Sequence, residues 1–158
     1  MPSITLHFHS FPIGGAVGLI LAGEQRVAVS GLVLLDVPTR PSADAARAER
    51  ERIIAVKQRG APSLSKLDSD IMTGPFVENM IAQLGRWEQA AQQVTVPVLL
   101  LHGEKSYPFG PSELSVARSD IPQIQVAGLP CGHLIARECP SEMARHLIEF
   151  CSGIRNWD

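Results

Sequence analysis

The sequence has little net charge, few cysteines and no long apolar run, and each lack removes a class of protein. Fourteen Lys and Arg stand against sixteen Asp and Glu, a formal net charge of −2. No basic stripe is present to neutralise phosphates, so nucleic acid is not an expected partner. The longest apolar run, Ala16–Ala22, is far short of the roughly 20 residues that span a bilayer, so no membrane partner is expected. The first residues lack the basic flank and long apolar core of a secretory leader, and a cytoplasmic location is the expectation. The cysteines, Cys131, Cys139 and Cys151, are odd in number and lack framework spacing, which argues against a disulfide scaffold. They also lack zinc-ligand spacing, so they read as buried or idle thiols and no metal is expected. Gly14–Gly18 lacks the G-x-G-x-x-G of a dinucleotide loop, and no cofactor is expected. There is no internal repeat and no low-complexity tract.

What is present is the composition of a globular protein, 45% hydrophobic and 19% charged over 158 residues, one domain's worth of chain. Ile4, Leu6 and Phe8 alternate with Thr5, His7 and His9, the pattern of a strand with two unlike faces. A helix over 14–23 follows, its Gly14, Gly15, Ala16 and Gly18 suited to close packing on a sheet. Gly31–Asp36 and Val96–His102 are continuous apolar runs, the signature of strands buried on both faces of a parallel sheet. Ile124–Leu129 reads as a last strand, Pro111–Ser119 as a helix, and Ser141–Cys151 as a closing helix capped by Ser141. Strands alternating with helices predict a parallel α/β sheet. Residues 38–90 break that alternation and read as a helical insertion, with Trp87, Phe76, Met72 and Met80 as apolar packing or pocket lining.

Three residues able to do chemistry sit at the C-terminal ends of predicted strands: Ser10 follows the first, Asp36 ends the second and His133 follows the last. Strand C-terminal ends in an open parallel sheet share one edge, where sites form. A serine needs a base to take its proton, and a carboxylate holds that base in the right tautomer. Each residue also has a plainer reading. Ser10 fits a helix cap, Asp36 a strand end, and His133 a loop histidine. His7 and His9 read as strand-face residues, His102 as a core or loop residue, His146 as part of an exposed helix face.

At this point the chain resembles an α/β-hydrolase of the esterase, epoxide hydrolase and dehalogenase-like group, over about residues 3–151. The resemblance rests on His9-Ser10 with Gly14-Gly15 and an apolar helix, GLVLLDVP (31–38), VPVLLLHGE (96–104) and GLPCGHLIARECPSEMARHLIEF (128–150). It implies a partial α/β-hydrolase fold of about four parallel strands flanked by helices. The core would be residues 1–37 and 91–158, with 38–90 as the cap insertion that usually roofs the substrate pocket. It implies Ser10 as nucleophile, His133 as base and the Phe11 N–H as half of an oxyanion hole. Relatives carry the acid either in a G-x-x-D turn, which falls on Ser106 here, or after the earlier strand, which falls on Asp36. Serine cannot do a carboxylate's work and Glu104 is out of step by two, so Asp36 is the expected acid.

Two departures stand out. Phe8 and Pro12 occupy the positions where G-x-S-x-G has small residues. The parts the family places before its nucleophile strand, including a second oxyanion donor worth roughly 10²–10³ in rate, are not expected within these residues. The first strand is therefore expected at a sheet edge, open to pairing with a second copy as a homodimer. The leading expectation is a hydrolase of esters or related small carbonyl substrates working through an acyl-enzyme. The alternative is a non-catalytic relative acting as a partner-binding half-domain.

Overall fold

The computed structural model describes residues 4–8, 12–58, 75–106 and 109–154. Its chain divides into two compact units, one of Met1–Arg40 with Trp87–Asp158 and one of Pro41–Arg86. Pro38–Arg40 and Trp87–Ala90 thus go with the first unit.

The first unit is built on four strands, β1 (Ile4–Phe8), β2 (Val29–Leu35), β3 (Val98–Gly103) and β4 (Ile124–Leu129). They lie in the order β1-β2-β3-β4 with every neighbouring pair parallel. Four parallel strands are what the predicted strands and their alternation with helices lead one to expect. Phe8, Leu34, Leu100 and Val126 stand side by side in register. Among the described residues β1 is an edge strand, hydrogen-bonded to β2 alone.

Side chains on a strand alternate between faces, and in the buried stretches of β2 and β3 both sets are covered. Val33, Leu35, Leu99, Leu101 and Leu129 join Ile135, Phe150 and Ile154 in one buried cluster. The alternate set, Leu32, Leu34, Val98 and Leu100, is fully buried as well. That is why these strands read as unbroken apolar runs. Helices α1 (Pro12–Gly23), α4 (Leu84–Gln93) and α5 (Pro111–Asp120) carry further buried residues, Leu19, Trp87, Ala91 and Ala117 among them. Gly15 in α1 has a packing reason: a Cβ there would come within 2.3 Å of the Val37 side chain.

Two helix starts differ from the sequence reading, both at a proline. Helix α1 opens at Pro12 rather than residue 14, and α7 (Pro140–Gly153) opens at Pro140 with Cys139 in the cap position, so Ser141 lies inside the helix. Proline suits the first helical position, where its missing N–H has no partner to lose. A short helix α6 (Ile135–Glu138), too brief to show periodicity, precedes α7. His146 is half-buried rather than exposed.

The second unit contains α2 (Ala43–Gln58) and α3 (Pro75–Ala82), and α4 begins at its end. Residues 59–74 of the predicted helical insertion lie outside the described residues. No helix among the described residues is long and apolar enough to cross a membrane.

Candidate active site

The site is assembled where β2, β3 and β4 end. β2 finishes at Leu35, and the Asp36 N–H still donates to the Leu101 carbonyl at 2.7 Å, extending the pairing by one residue. Asp36 then takes φ of 55°, the left-handed region. Aspartate tolerates that region better than most side chains, and such conformations gather at functional sites. The turn leaves the Asp36 side chain with no exposure to solvent.

A buried carboxylate is costly unless its oxygens are hydrogen-bonded. Asp36 receives three donors. The Gly103 N–H donates to Oδ1 at 2.8 Å, and the Ser106 hydroxyl and His133 Nδ1 both reach Oδ2, the latter at 2.6 Å. An ionised carboxylate only accepts, so the Nδ1 contact puts the ring proton on Nδ1 and leaves Nε2 of the neutral ring as an acceptor. The His133 side chain is 36% exposed, so a buried acid holds a partly solvent-facing base.

The two loops carrying these groups are tied together. Glu104 N–H donates to Leu129 O at 2.8 Å, and Lys105 N–H to Cys131 O at 3.0 Å. Gly103 permits the approach: a Cβ there would lie 2.3 Å from the Gly132 carbonyl oxygen and 2.7 Å from that of Cys131. Just before His133, the Gly132 N–H donates to Glu138 Oε2 at 2.7 Å, and Ile135 anchors the next turn in the core. Cys131 is a buried neighbour but no nucleophile. Burial, with a hydrogen bond to Cys139 and the nearby negative charges, pushes its thiol up to about 12, so it stays protonated at neutral pH.

A second buried carboxylate fixes the chain beyond Pro38. Asp120, at the end of α5, accepts from Thr39 Oγ1 at 3.3 Å and from Arg40, whose Nη1 also meets Glu88 at 3.0 Å. The Asp120 hydrogen bond holds the Arg40 guanidinium still more firmly protonated.

The structure therefore brings two of the expected site residues, Asp36 and His133, into direct contact. Ser10 and Phe11, with His9, lie outside the described residues. Three contributors went unremarked in the sequence: Ser106 as a donor rather than an acid position, Gly103 through its N–H, and Glu138 as the anchor of the His133 loop. Their traces were present as the turn G-E-K-S and the Gly-His followed by E-x-P.

No protein-family model matches the chain, and no curated protein matches it by sequence. Solved structures do match its fold. E-2-(acetamidomethylene)succinate hydrolase aligns with a TM-score of 0.69 at 18% identity, over 96% of this chain and 68% of that one. The enol-lactonase of Burkholderia xenovorans LB400 aligns at 0.61 and 16% identity, over 96% and 66%. A thermophilic esterase of Thermogutta terrifontis aligns at 0.62 and 22% identity, over 98% and 66%. The chain thus has a partial α/β-hydrolase fold, spanning about two thirds of the length of these structures.

Proposed function

We propose that this chain is a serine-type hydrolase of esters or related small carbonyl compounds, with Ser10 as nucleophile, His133 as base and Asp36 as acid. The observation that carries it is the His133 Nδ1 to Asp36 Oδ2 contact at 2.6 Å, made by a carboxylate with no solvent exposure. A base oriented by a buried carboxylate is what activation of a hydroxyl requires. Ser10 follows β1 by two residues, and β1 ends in register with Leu34, two residues before Asp36. In the reaction, the Ser10 oxygen attacks the carbonyl carbon and its proton passes to His133 Nε2. The Phe11 N–H donates to the developing oxyanion, and the imidazolium returns the proton to the departing alcohol. Water then repeats the sequence on the acyl-enzyme. Residues 38–90, which hold the Pro41–Arg86 unit, are proposed as the cap insertion. The hydrolase, lactonase and esterase among the structural neighbours support a carbonyl substrate.

The test is labelling by a fluorophosphonate probe with Ser10→Ala as control. Labelling lost in the variant is expected; labelling that survives it, or none at all, removes Ser10 as nucleophile. A second reading is favoured by the edge position of β1: a half-domain without catalysis that pairs through β1 with a second copy. Sedimentation separates them. A monomer that labels is the hydrolase alone, whereas a dimer that never labels is the half-domain.

A further inference from the structure

We propose that Ser106 is a positioning residue that shares the Asp36 carboxylate with His133 and so limits how tightly that carboxylate holds the charged ring. The inference rests on the reading of Asp36 and His133 as the acid and base. Ser106 Oγ and His133 Nδ1 both donate to Oδ2, while Oδ1 is taken by the Gly103 N–H. One tight turn supplies two of the three donors. The Ser106 N–H closes it on the Gly103 carbonyl at 3.0 Å, and its two ends then present a backbone N–H to one carboxylate oxygen and a hydroxyl to the other. Ser106 is itself buried, so water does not compete for its hydroxyl.

A donor on Oδ2 withdraws charge from the atom that faces the imidazole. Hydrogen bonding and nearby charge are the two ways a neighbour shifts a titrating group, and here they meet on one oxygen. Removing the hydroxyl leaves the full charge of Oδ2 to His133 and stabilises the imidazolium. The enzyme would then carry a protonated, inactive base further up the pH scale. Ser106 thus keeps His133 available as a base near neutral pH. Among the described residues, the other titratable groups around the His133 loop are Cys131, Cys139 and Glu138 on its own side, with His102, Glu104 and Lys105 at the end of β3 and in the turn after it. They are unchanged in a Ser106 variant, so a difference between variants isolates the hydroxyl.

The experiment is an NMR titration of the His133 ring in the full chain, assigned with His133→Gln, for the native protein, Ser106→Ala and Ser106→Cys. Ser106→Ala should raise the His133 titration midpoint by about half a pH unit or more. Ser106→Cys, a weaker donor of similar size, should raise it less. The acid limb of fluorophosphonate labelling should move upward in parallel. An unchanged or lowered midpoint in both variants overturns the proposal. The titration needs no turnover, so a raised midpoint without Ser10 labelling keeps the positioning role and sinks only the catalytic reading. Labelling with an unmoved midpoint does the reverse.

Discussion

Asp36→Asn is the most informative single perturbation of this site. Asparagine keeps the shape and, like aspartate, tolerates the φ of 55° at this position, so the backbone is not newly strained. What changes is the donor and acceptor pattern. Gly103 N–H, 2.8 Å from Oδ1, requires an acceptor and fixes the amide oxygen there. The amide nitrogen then faces Ser106 and His133, where two hydrogen bonds to a charged acceptor are lost. Each such bond contributes about 1.5–3 kcal/mol, but the substitution also removes the desolvation cost of a buried charge, for a net loss of about 1–3 kcal/mol. In a chain of this length that lowers Tm by roughly 3–10 °C. His133 must now accept at Nδ1 and carry its proton on Nε2, the wrong tautomer for a base, which costs on the order of 10⁴ in rate in a catalytic triad. Nitrogen NMR of the imidazole reads the tautomer directly, without substrate. A ring that keeps its proton on Nδ1 in Asp36→Asn, or a variant as stable as the native chain, would refute this account of the site.

Other outcomes follow from the same geometry. Arg40→Ala strands the buried Asp120 carboxylate with Thr39 as its remaining side-chain donor, and should cost about 2–4 kcal/mol in denaturant unfolding. Asp120→Asn leaves a half-exposed guanidinium with Glu88 and water, and should cost less, about 1–2 kcal/mol; the reverse ranking contradicts the burial argument. Gly103→Ala forces the Gly132 carbonyl aside and should destabilise by about 1–3 kcal/mol while disturbing the His133 ring, visible as a changed His133 resonance. Burial pushes the Cys131 thiol up to about 12 in the folded chain, against about 8.5 when unfolded, so the folded state holds more protons between those values. Stability therefore falls as pH rises through that window, and Cys131→Ala should show a shallower fall; equal slopes would mean the thiol is not the source.

Much of the core was legible because both strand signals are strong. The runs GLVLL and VPVLLL fit strands buried between two layers, and the parallel sheet follows from strands alternating with helices. At the start of α7, Ser141 is the better cap by residue type, yet Pro140 suits the first turn and opens the helix. The four residues of α6 carry no period that a sequence could display.

The sequence alone determined that Asp36 and His133 would each follow a strand on one sheet edge, because parallel strands deliver all their C-terminal ends to the same side. Only the tertiary structure decided what they do to one another. Hydrogen-bond partners 67, 70 and 97 residues apart are chosen by how the loops close, and that closure depends on a glycine at 103 that lets two backbones touch. Ser106 shows the difference most clearly: by residue type it is a missing acid, and by position it is the second donor on the acid that is there.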